Sequence, residues 1–260
     1  RFWNSLGHHT RYNTVTTEAI PQQKEQPKLV VGIVIDQMRF EMLERYSTTL
    51  SDDGFKKLQA EGFSFNNCKY NYIPTYTGPG HASIFSGQNP TTHGIISNDW
   101  YDRSTNKMVY CVEDNEVKTI GSKGKSGNRS PKNFKSQSIA DIIKQNDKSK
   151  TFGVSIKDRG AILPAGQKAD GAFWLDETNT FVSSSYYGHS LPHWLKVFNE
   201  KGLASQYAQL TWNLSLSPSA YMNSDEDLRK CESNYLKKKP EFPYPLKEVS
   251  EKKGAGVIKY

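Results

Sequence analysis

The longest hydrophobic run in the chain, residues 29–35, contains only Leu, Val, Ile and a single Gly. A run of this length and β-branched content predicts a strand buried on both faces, as in the centre of a parallel sheet. A second buried strand is predicted at residues 151–156, and a short one at residues 172–175.

Between and after these strands, hydrophobic positions recur at helical spacing. Helices are predicted after Arg39 through Tyr46 and around residues 54–61, 77–87, 138–145 and 191–201. The helix at 77–87 begins Thr77-Gly78-Pro79, which predicts Thr77 as its N-cap and places Pro79 in the first turn. Strands that alternate with helices favour an α/β fold with a mostly parallel sheet.

The regions that flank these elements are polar. Residues 1–27 are aperiodic and close on a stretch rich in Gln and Pro, which is typical of a tail or linker. Residues 121–131 predict a mobile loop, and the chain is polar and charged again from about Ser217 onward. A chain of 260 residues can hold one sizeable core, or one core with an appended subdomain.

Composition changes this picture little. The net charge of +7 favours anionic partners, but the basic residues are scattered, which indicates a solvated surface and no specific binding of nucleic acid. No stretch approaches the ~18 apolar residues of a membrane span. Cys68, Cys111 and Cys231 match no metal or redox motif; one disulfide with one free thiol, or three free thiols, both fit the sequence.

Asp36 and Thr77 occupy positions where catalytic groups collect. Asp36 directly follows the run 29–35, and ligand and metal sites collect at the carboxyl ends of strands in α/β sheets. Its carboxylate could bind a divalent metal or could cap the next helix. Thr77 at a helix start could meet an anion with the helix dipole behind it, although a threonine there is more often a plain N-cap.

Three residues further along complete the candidate set. The Asn98 amide could donate to a phosphoryl oxygen or could serve a turn. Lys157 and Arg159 follow the strand predicted at 151–156, and two residues spaced by two in an extended segment project to the same side. The pair would suit a dianionic phosphate, unless both are surface cations balanced by Asp158. His81 and His93 are expected to make structural hydrogen bonds.

The order of these segments along the chain resembles a known family. The strand ending in Ile35-Asp36, the segment Pro74-Thr75-Tyr76-Thr77-Gly78-Pro79-Gly80-His81 and the segment His93-Gly94-Ile95-Ile96-Ser97-Asn98 are similar to the type I phosphodiesterase/nucleotide pyrophosphatase branch of the alkaline phosphatase superfamily. The resemblance implies that Thr77 is the nucleophile, that Asp36 and Thr77 bind zinc, and that Asn98 contacts the phosphoryl group. It also implies an α/β three-layer sandwich with a mostly parallel central sheet.

A finer resemblance concerns the reaction. Residues 155–166, followed by Gly171-Ala172-Phe173-Trp174, are similar to bacterial phosphate-irrepressible alkaline phosphatases of the PafA type. These use a Lys and an Arg to hold the extra charge of a phosphate monoester, which implies that role for Lys157 and Arg159. The implied protein is a zinc-dependent phosphomonoesterase with a phosphothreonine intermediate, periplasmic or secreted, and monomeric.

The family site holds two Zn²⁺ and takes further Asp and His ligands from a later half, whereas residues 200–260 contain no His. The resemblance therefore implies that residues 28–260 are the N-terminal part of the catalytic domain, incomplete at the C-terminal side and with part of one zinc site. Residues 160–260 would partly form an inserted cap or subdomain. A phosphodiesterase or nucleotide pyrophosphatase of the same superfamily, and a noncatalytic truncated fragment, are the alternatives.

Overall fold

The computed structural model describes residues 27–146, 148–221, 227, 230 and 241–248. The chain divides into two units, Arg1–Ile35 and Asp36–Tyr260, and all the elements below belong to the second. The predicted tail lies outside the described residues except for residue 27, as do Cys231 and much of the charged stretch after Ser217. No described helix is both long and apolar enough to cross a membrane.

The helices and strands of the described residues are short. The helices are α1 (Glu41–Arg45), α2 (Phe55–Glu61), α3 (Thr77–Ser86), α4 (Pro90–His93), α5 (Ile139–Ile143), α6 (Asp158–Ala165), α7 (His193–Glu200) and α8 (Leu203–Tyr207), with a 3₁₀ turn at Pro218–Tyr221. The strands are β1 (Asp99–Asp102), β2 (Lys107–Tyr110), β3 (Thr119–Ile120), β4 (Phe152–Val154), β5 (Gly171–Leu175), β6 (Phe181–Ser184), β7 (Thr211–Trp212) and β8 (Tyr244–Pro245). All five predicted helices are present as α1, α2, α3, α5 and α7.

The strand predicted at residues 29–35 is wrong for this structure. No strand is assigned there, and Leu29 and Ile33 are each 77 % exposed. A strand that is apolar on both faces is stable only with neighbours in the sheet and cover on both sides. None of the strand pairings in the described residues includes this segment.

The sheet that does form is mixed. Its order is β3-β6-β5-β4; β4 and β5 are parallel, whereas β5 with β6 and β6 with β3 are antiparallel. The described sheet thus differs from the mostly parallel one predicted, because β6 is antiparallel to both of its neighbours. The strands at 151–156 and 172–175 are confirmed as β4 and β5, although Phe152 and Val154 of β4 are exposed and not buried as predicted.

Helices pack on both faces of this sheet. Successive side chains of β5 point to opposite faces, so this strand contributes to the core on each side. Ala172 and Trp174 join the larger core, to which α6 contributes Ile162. Phe173 points to the opposite face and packs in a second cluster with Leu195 of α7. The α/β class is thereby confirmed, with the sheet lying between two helical layers.

Gly153 of β4 explains how closely α6 lies on the sheet. A Cβ atom at this position would be 2.2 Å from the carbonyl oxygen of Ala161 and 2.9 Å from the Cβ of Ala165. Only a residue without a side chain permits this approach of helix to strand. The close packing holds the middle and end of α6 against the sheet; Lys157 and Arg159 lie at the other end of this helix.

Candidate active site

Thr77 is the first residue of α3 and does not cap it. The N-cap is Tyr76, which makes no side-chain capping bond. The Thr77 hydroxyl instead donates to Asp36 Oδ2 at 3.1 Å, across 41 residues of sequence. Asp36 is exposed and does not cap α1, whose N-cap is Phe40. The capping alternatives for both residues are therefore wrong, and a hydroxyl and a carboxylate meet at an accessible position.

Asn98 lies directly beside this pair. Its Oδ1 accepts a hydrogen bond from the Gly78 N–H at 2.7 Å. Because an N–H can be accepted only by the amide oxygen, this bond fixes the orientation of the amide, and both Nδ2 hydrogens remain as donors. A Cβ on Gly78 would come within 3.1 Å of that same oxygen, so glycine keeps Asn98 next to the nucleophile candidate.

The Asn98 bond also changes what the start of α3 can offer to an anion. The Gly78 N–H is used by Asn98, Pro79 has no N–H, and the Gly80 N–H donates to the carbonyl of Tyr76. The Thr77 N–H is the remaining donor of the first turn. The expected cluster of helix amides in this first turn is thus reduced to one.

A β-hairpin connects Asn98 to the second part of the candidate site. Asn98 directly precedes β1, and Asp99 is paired with Tyr110 at the end of β2. The Cys111 N–H donates to the Asn98 carbonyl at 2.9 Å. Cys111 is buried, and burial raises the pKa of its thiol to about 12, so it is a packing residue. Cys68, by contrast, is an exposed free thiol.

Lys157 has an extended backbone but Arg159 is helical, so the reason given for their shared direction is wrong. Lys157 is the N-cap of α6, and Arg159 belongs to the first turn of that helix. Arg159 Nη1 donates to the hydroxyl of Tyr110 at 2.9 Å. The geometry of the helix start, and not the alternation of a strand, places the Arg159 guanidinium at the end of the hairpin.

Asp158 was predicted to balance the charges of Lys157 and Arg159, but its side chain forms an ion pair with Arg129. Asp158 Oδ2 accepts from Arg129 Nε at 2.9 Å, and Asp158 Oδ1 accepts from the Tyr110 hydroxyl. Arg129 and Tyr110 were missed in the sequence because they lie 29 and 48 residues from Asp158 and belong to no local motif.

The two histidines make structural hydrogen bonds, as expected. His81 Nδ1 lies 2.8 Å from the Thr77 carbonyl and donates to it one helical turn back. His93 Nδ1 accepts from the Ile95 N–H at 3.1 Å, which leaves the proton on Nε2 to be donated to Ser83 at 3.0 Å. Burial lowers the pKa of His93 to about 4, so its ring is neutral.

Asp36 and Thr77 together fit one side of a divalent metal site. Both present oxygen atoms, and the 3.1 Å between them allows one ion to contact both. A zinc site takes about four ligands. The part of the chain that the structure describes holds no group of three or more His, Cys, Asp or Glu residues suited to a metal, so this pair fits part of one site.

Comparison with known proteins gives a consistent result. Residues 30–244 match the model of the type I phosphodiesterase/nucleotide pyrophosphatase family. The chain is 43% identical to the alkaline phosphatase PafA of Elizabethkingia meningoseptica, over 92% of this chain and 44% of that protein. It is 41% identical to the alkaline phosphatase PhoV of Synechococcus elongatus, over 96% of this chain and 46% of that protein.

Solved structures agree with this match. The crystal structure of wild-type PafA has a TM-score of 0.86 at 43% identity, covering 90% of this chain and 46% of PafA. A PafA variant with a threonine, an asparagine, a lysine and an arginine substituted has a TM-score of 0.83 at 40% identity, covering 86% and 44%. The chain spans less than half the length of these relatives. It belongs to the type I phosphodiesterase/nucleotide pyrophosphatase family and has the α/β fold of PafA-like alkaline phosphatases.

Proposed function

We propose that the complete protein is a phosphomonoesterase, an alkaline phosphatase, and that Thr77 is its nucleophile. The observation that carries the proposal is the hydrogen bond from the Thr77 hydroxyl to Asp36, formed beside an Asn98 amide whose Nδ2 hydrogens are available. A hydroxyl oriented by a carboxylate, with a neutral donor next to it, suits attack on a phosphoryl group.

Two comparisons support the proposal. The relatives at 41% and 43% identity are named alkaline phosphatases. The substituted PafA variant lacks a threonine, an asparagine, a lysine and an arginine, in that order, with the lysine and arginine two positions apart. Thr77, Asn98, Lys157 and Arg159 have the same order, and the last two have the same spacing.

The proposed reaction is an in-line displacement in two steps. Thr77 Oγ1 forms a bond to phosphorus as the bond from phosphorus to the ester oxygen breaks. The Thr77 proton passes through water to that oxygen, which leaves as the alcohol, and the phosphoryl group is carried as phosphothreonine. Water then attacks the same phosphorus, and release of phosphate restores the hydroxyl. His81, which donates to the Thr77 carbonyl, holds the backbone of the nucleophile during both steps.

The other residues of the proposed site stabilise charge. Asn98 Nδ2 and the Thr77 N–H donate to the phosphoryl oxygens, and Lys157 and Arg159 bind the additional negative charge of a monoester. Because phosphoryl transfer spreads charge over the oxygens instead of building bonds to the protein, such positioning provides most of the rate enhancement.

Asp36 and Thr77 are the proposed zinc ligands of this part of the chain, and the complete family member is proposed to bind two Zn²⁺. Zinc next to a hydroxyl lowers its pKa and offsets charge on a bound phosphate. The periplasmic or secreted location and the monomeric state stay predictions.

A phosphodiesterase or nucleotide pyrophosphatase is the competing function, because the family model carries that description. Lys157 and Arg159 favour a monoester, since a diester has one less negative charge to bind. A noncatalytic fragment is the other alternative to be excluded.

The test uses the complete protein with one monoester and one diester substrate. Thr77→Ala removes the nucleophile and should abolish turnover of both. The double variant Lys157→Ala and Arg159→Ala should lower kcat/KM for the monoester by roughly 100-fold or more, since each lost charge-assisted bond costs about tenfold or more, and should affect the diester far less. Equal losses for both substrates would refute the monoesterase assignment, and full activity of Thr77→Ala would refute the nucleophile.

A further inference from the structure

Four side chains form a connected hydrogen-bond network at the start of α6. Arg159 Nη1 donates to the Tyr110 hydroxyl at 2.9 Å, and that hydroxyl donates to Asp158 Oδ1. Asp158 Oδ2 accepts from Arg129 Nε at 2.9 Å. The Arg129 guanidinium also lies 5.1 Å from the centre of the Tyr110 ring. The Tyr110 side chain thus contacts the side chains of the other three, while Asp158 Oδ1 also accepts from the backbone N–H of Arg159 at 2.8 Å.

The two arginines of the network have different partners. Asp158 forms its ion pair with Arg129, and among the described residues no ion pair joins Arg159 to a carboxylate. Arg159 is adjacent to Asp158 in sequence, yet its guanidinium meets the neutral phenol. A hydrogen bond to a neutral acceptor fixes the direction of a guanidinium without cancelling its charge.

Tyr110 stays neutral under alkaline conditions. Burial, and then the negative charge of Asp158, raise the pKa of its hydroxyl well above the ordinary value. The hydroxyl therefore keeps its proton for Asp158 and its lone pair for Arg159 over the pH range in which an alkaline phosphatase would work.

We propose that Tyr110 is a positioning residue that aims Arg159 at the phosphate of a monoester and prevents Asp158 from pairing with that guanidinium. Arg129 completes the arrangement, because it neutralises the carboxylate that Arg159 would otherwise attract. This inference rests on the proposed function, since it assumes that Arg159 binds the additional charge of the substrate.

Tyr110→Phe in the complete protein is the direct test, because it removes the hydroxyl and keeps the ring. It should lower kcat/KM for a monoester, and the affinity for inorganic phosphate, by about fivefold to tenfold, the value of one hydrogen bond. Diester turnover should change far less. The matched control is Tyr101→Phe on the same hairpin, whose exposed hydroxyl donates to Asn106 Oδ1; it should change none of these quantities.

Two combined variants distinguish positioning from general damage. In an Arg159→Ala background, Tyr110→Phe should have no further effect on monoester turnover. Adding Asp158→Asn to Tyr110→Phe should restore part of the lost activity, because it removes the carboxylate that competes for Arg159. Equal losses for monoester and diester, an additive effect with Arg159→Ala, or an unchanged phosphate affinity would each overturn the inference.

Phosphate binding also separates this inference from the proposed function. If the wild-type protein hydrolyses no monoester but Tyr110→Phe still weakens phosphate binding, the proposed function fails and the positioning role stands. If monoesters are hydrolysed and Arg159→Ala is impaired while Tyr110→Phe is not, the inference fails and the function stands. Thermal unfolding of each variant establishes that it folds.

Discussion

The Asn98 amide has two separate uses, and two substitutions can divide them. Its oxygen accepts from the Gly78 N–H at 2.7 Å, while its Nδ2 hydrogens are proposed to face the phosphoryl group. Asn98→Asp keeps an oxygen for Gly78 but replaces the donor by a charged acceptor. Asn98→Ala removes both. We therefore expect the two variants to rank in opposite order for stability and for activity.

For stability, the acceptor is what matters. Gly78 is buried, and a buried N–H that loses its acceptor costs about 1–3 kcal/mol. Asn98→Ala should therefore lower the free energy of unfolding by about that amount. Asn98→Asp, which still accepts from the Gly78 N–H, should be close to the wild type.

For activity, the donor is what matters. Loss of one hydrogen bond to a charged group costs about 1.5–3 kcal/mol, so Asn98→Ala should lower kcat/KM roughly tenfold to 100-fold. A carboxylate about 4 Å from a phosphoryl charge adds repulsion of about 4 kcal/mol at an effective dielectric constant of ~20. Asn98→Asp should therefore be slower than Asn98→Ala by a further factor of about 1,000.

The assay pairs urea unfolding with steady-state hydrolysis of a monoester by the complete protein. Asn106→Asp is the matched control, because Asn106 lies in the same hairpin, is exposed, and accepts from Tyr101. It should change neither stability nor turnover. If Asn98→Asp is as active as Asn98→Ala, or more so, Nδ2 does not face the phosphoryl group.

Two further predictions concern the framework of the fold. Gly153→Ala should lower the free energy of unfolding by about 1–3 kcal/mol, because its Cβ would lie 2.2 Å from the Ala161 carbonyl oxygen. The control is Gly80→Ala, which should not destabilise, since its Cβ would meet nothing closer than Tyr70 at 4.0 Å. Equal urea midpoints for the two variants would contradict the prediction for Gly153. The lowered pKa of His93, about 4 when folded against 6.5 when unfolded, contributes stability that is present above pH 6.5 and lost as the pH falls towards 4. His93→Gln should flatten that decline in urea unfolding across the pH range, and an unchanged slope would show that His93 is not its source.

Much of the site can be predicted from the sequence where the information is local. A helix start is predicted from the run Thr77, Gly78 and Pro79, and that helix is present as α3. The direction of the Thr77 hydroxyl could not be predicted in this way, because its partner Asp36 lies 41 residues earlier. A threonine that caps a helix and one that serves as a nucleophile look alike in sequence, and only the hydrogen-bond partner of the hydroxyl distinguishes them.

The errors have a common physical cause, which is the dependence of local structure on distant partners. The run 29–35 reads as a strand, but a strand needs neighbours, and none of the described strands pairs with it. Lys157 and Arg159 follow β4, but the chain turns into α6 at Asp158. Tyr110 contacts Arg159 across 49 residues, and no periodicity in either segment indicates that contact.

The hairpin of β1 and β2 joins the two parts of the proposed site. Asn98, just before β1, accepts from the N–H of Gly78, which is the residue after the proposed nucleophile Thr77. Tyr110, at the end of the same hairpin, accepts from Arg159, so one hairpin holds both the proposed phosphoryl donor and the proposed cation. A substitution that shifts this hairpin is therefore expected to disturb Asn98 and Arg159 together, whereas one confined to the start of α6 is expected to act on Arg159 alone.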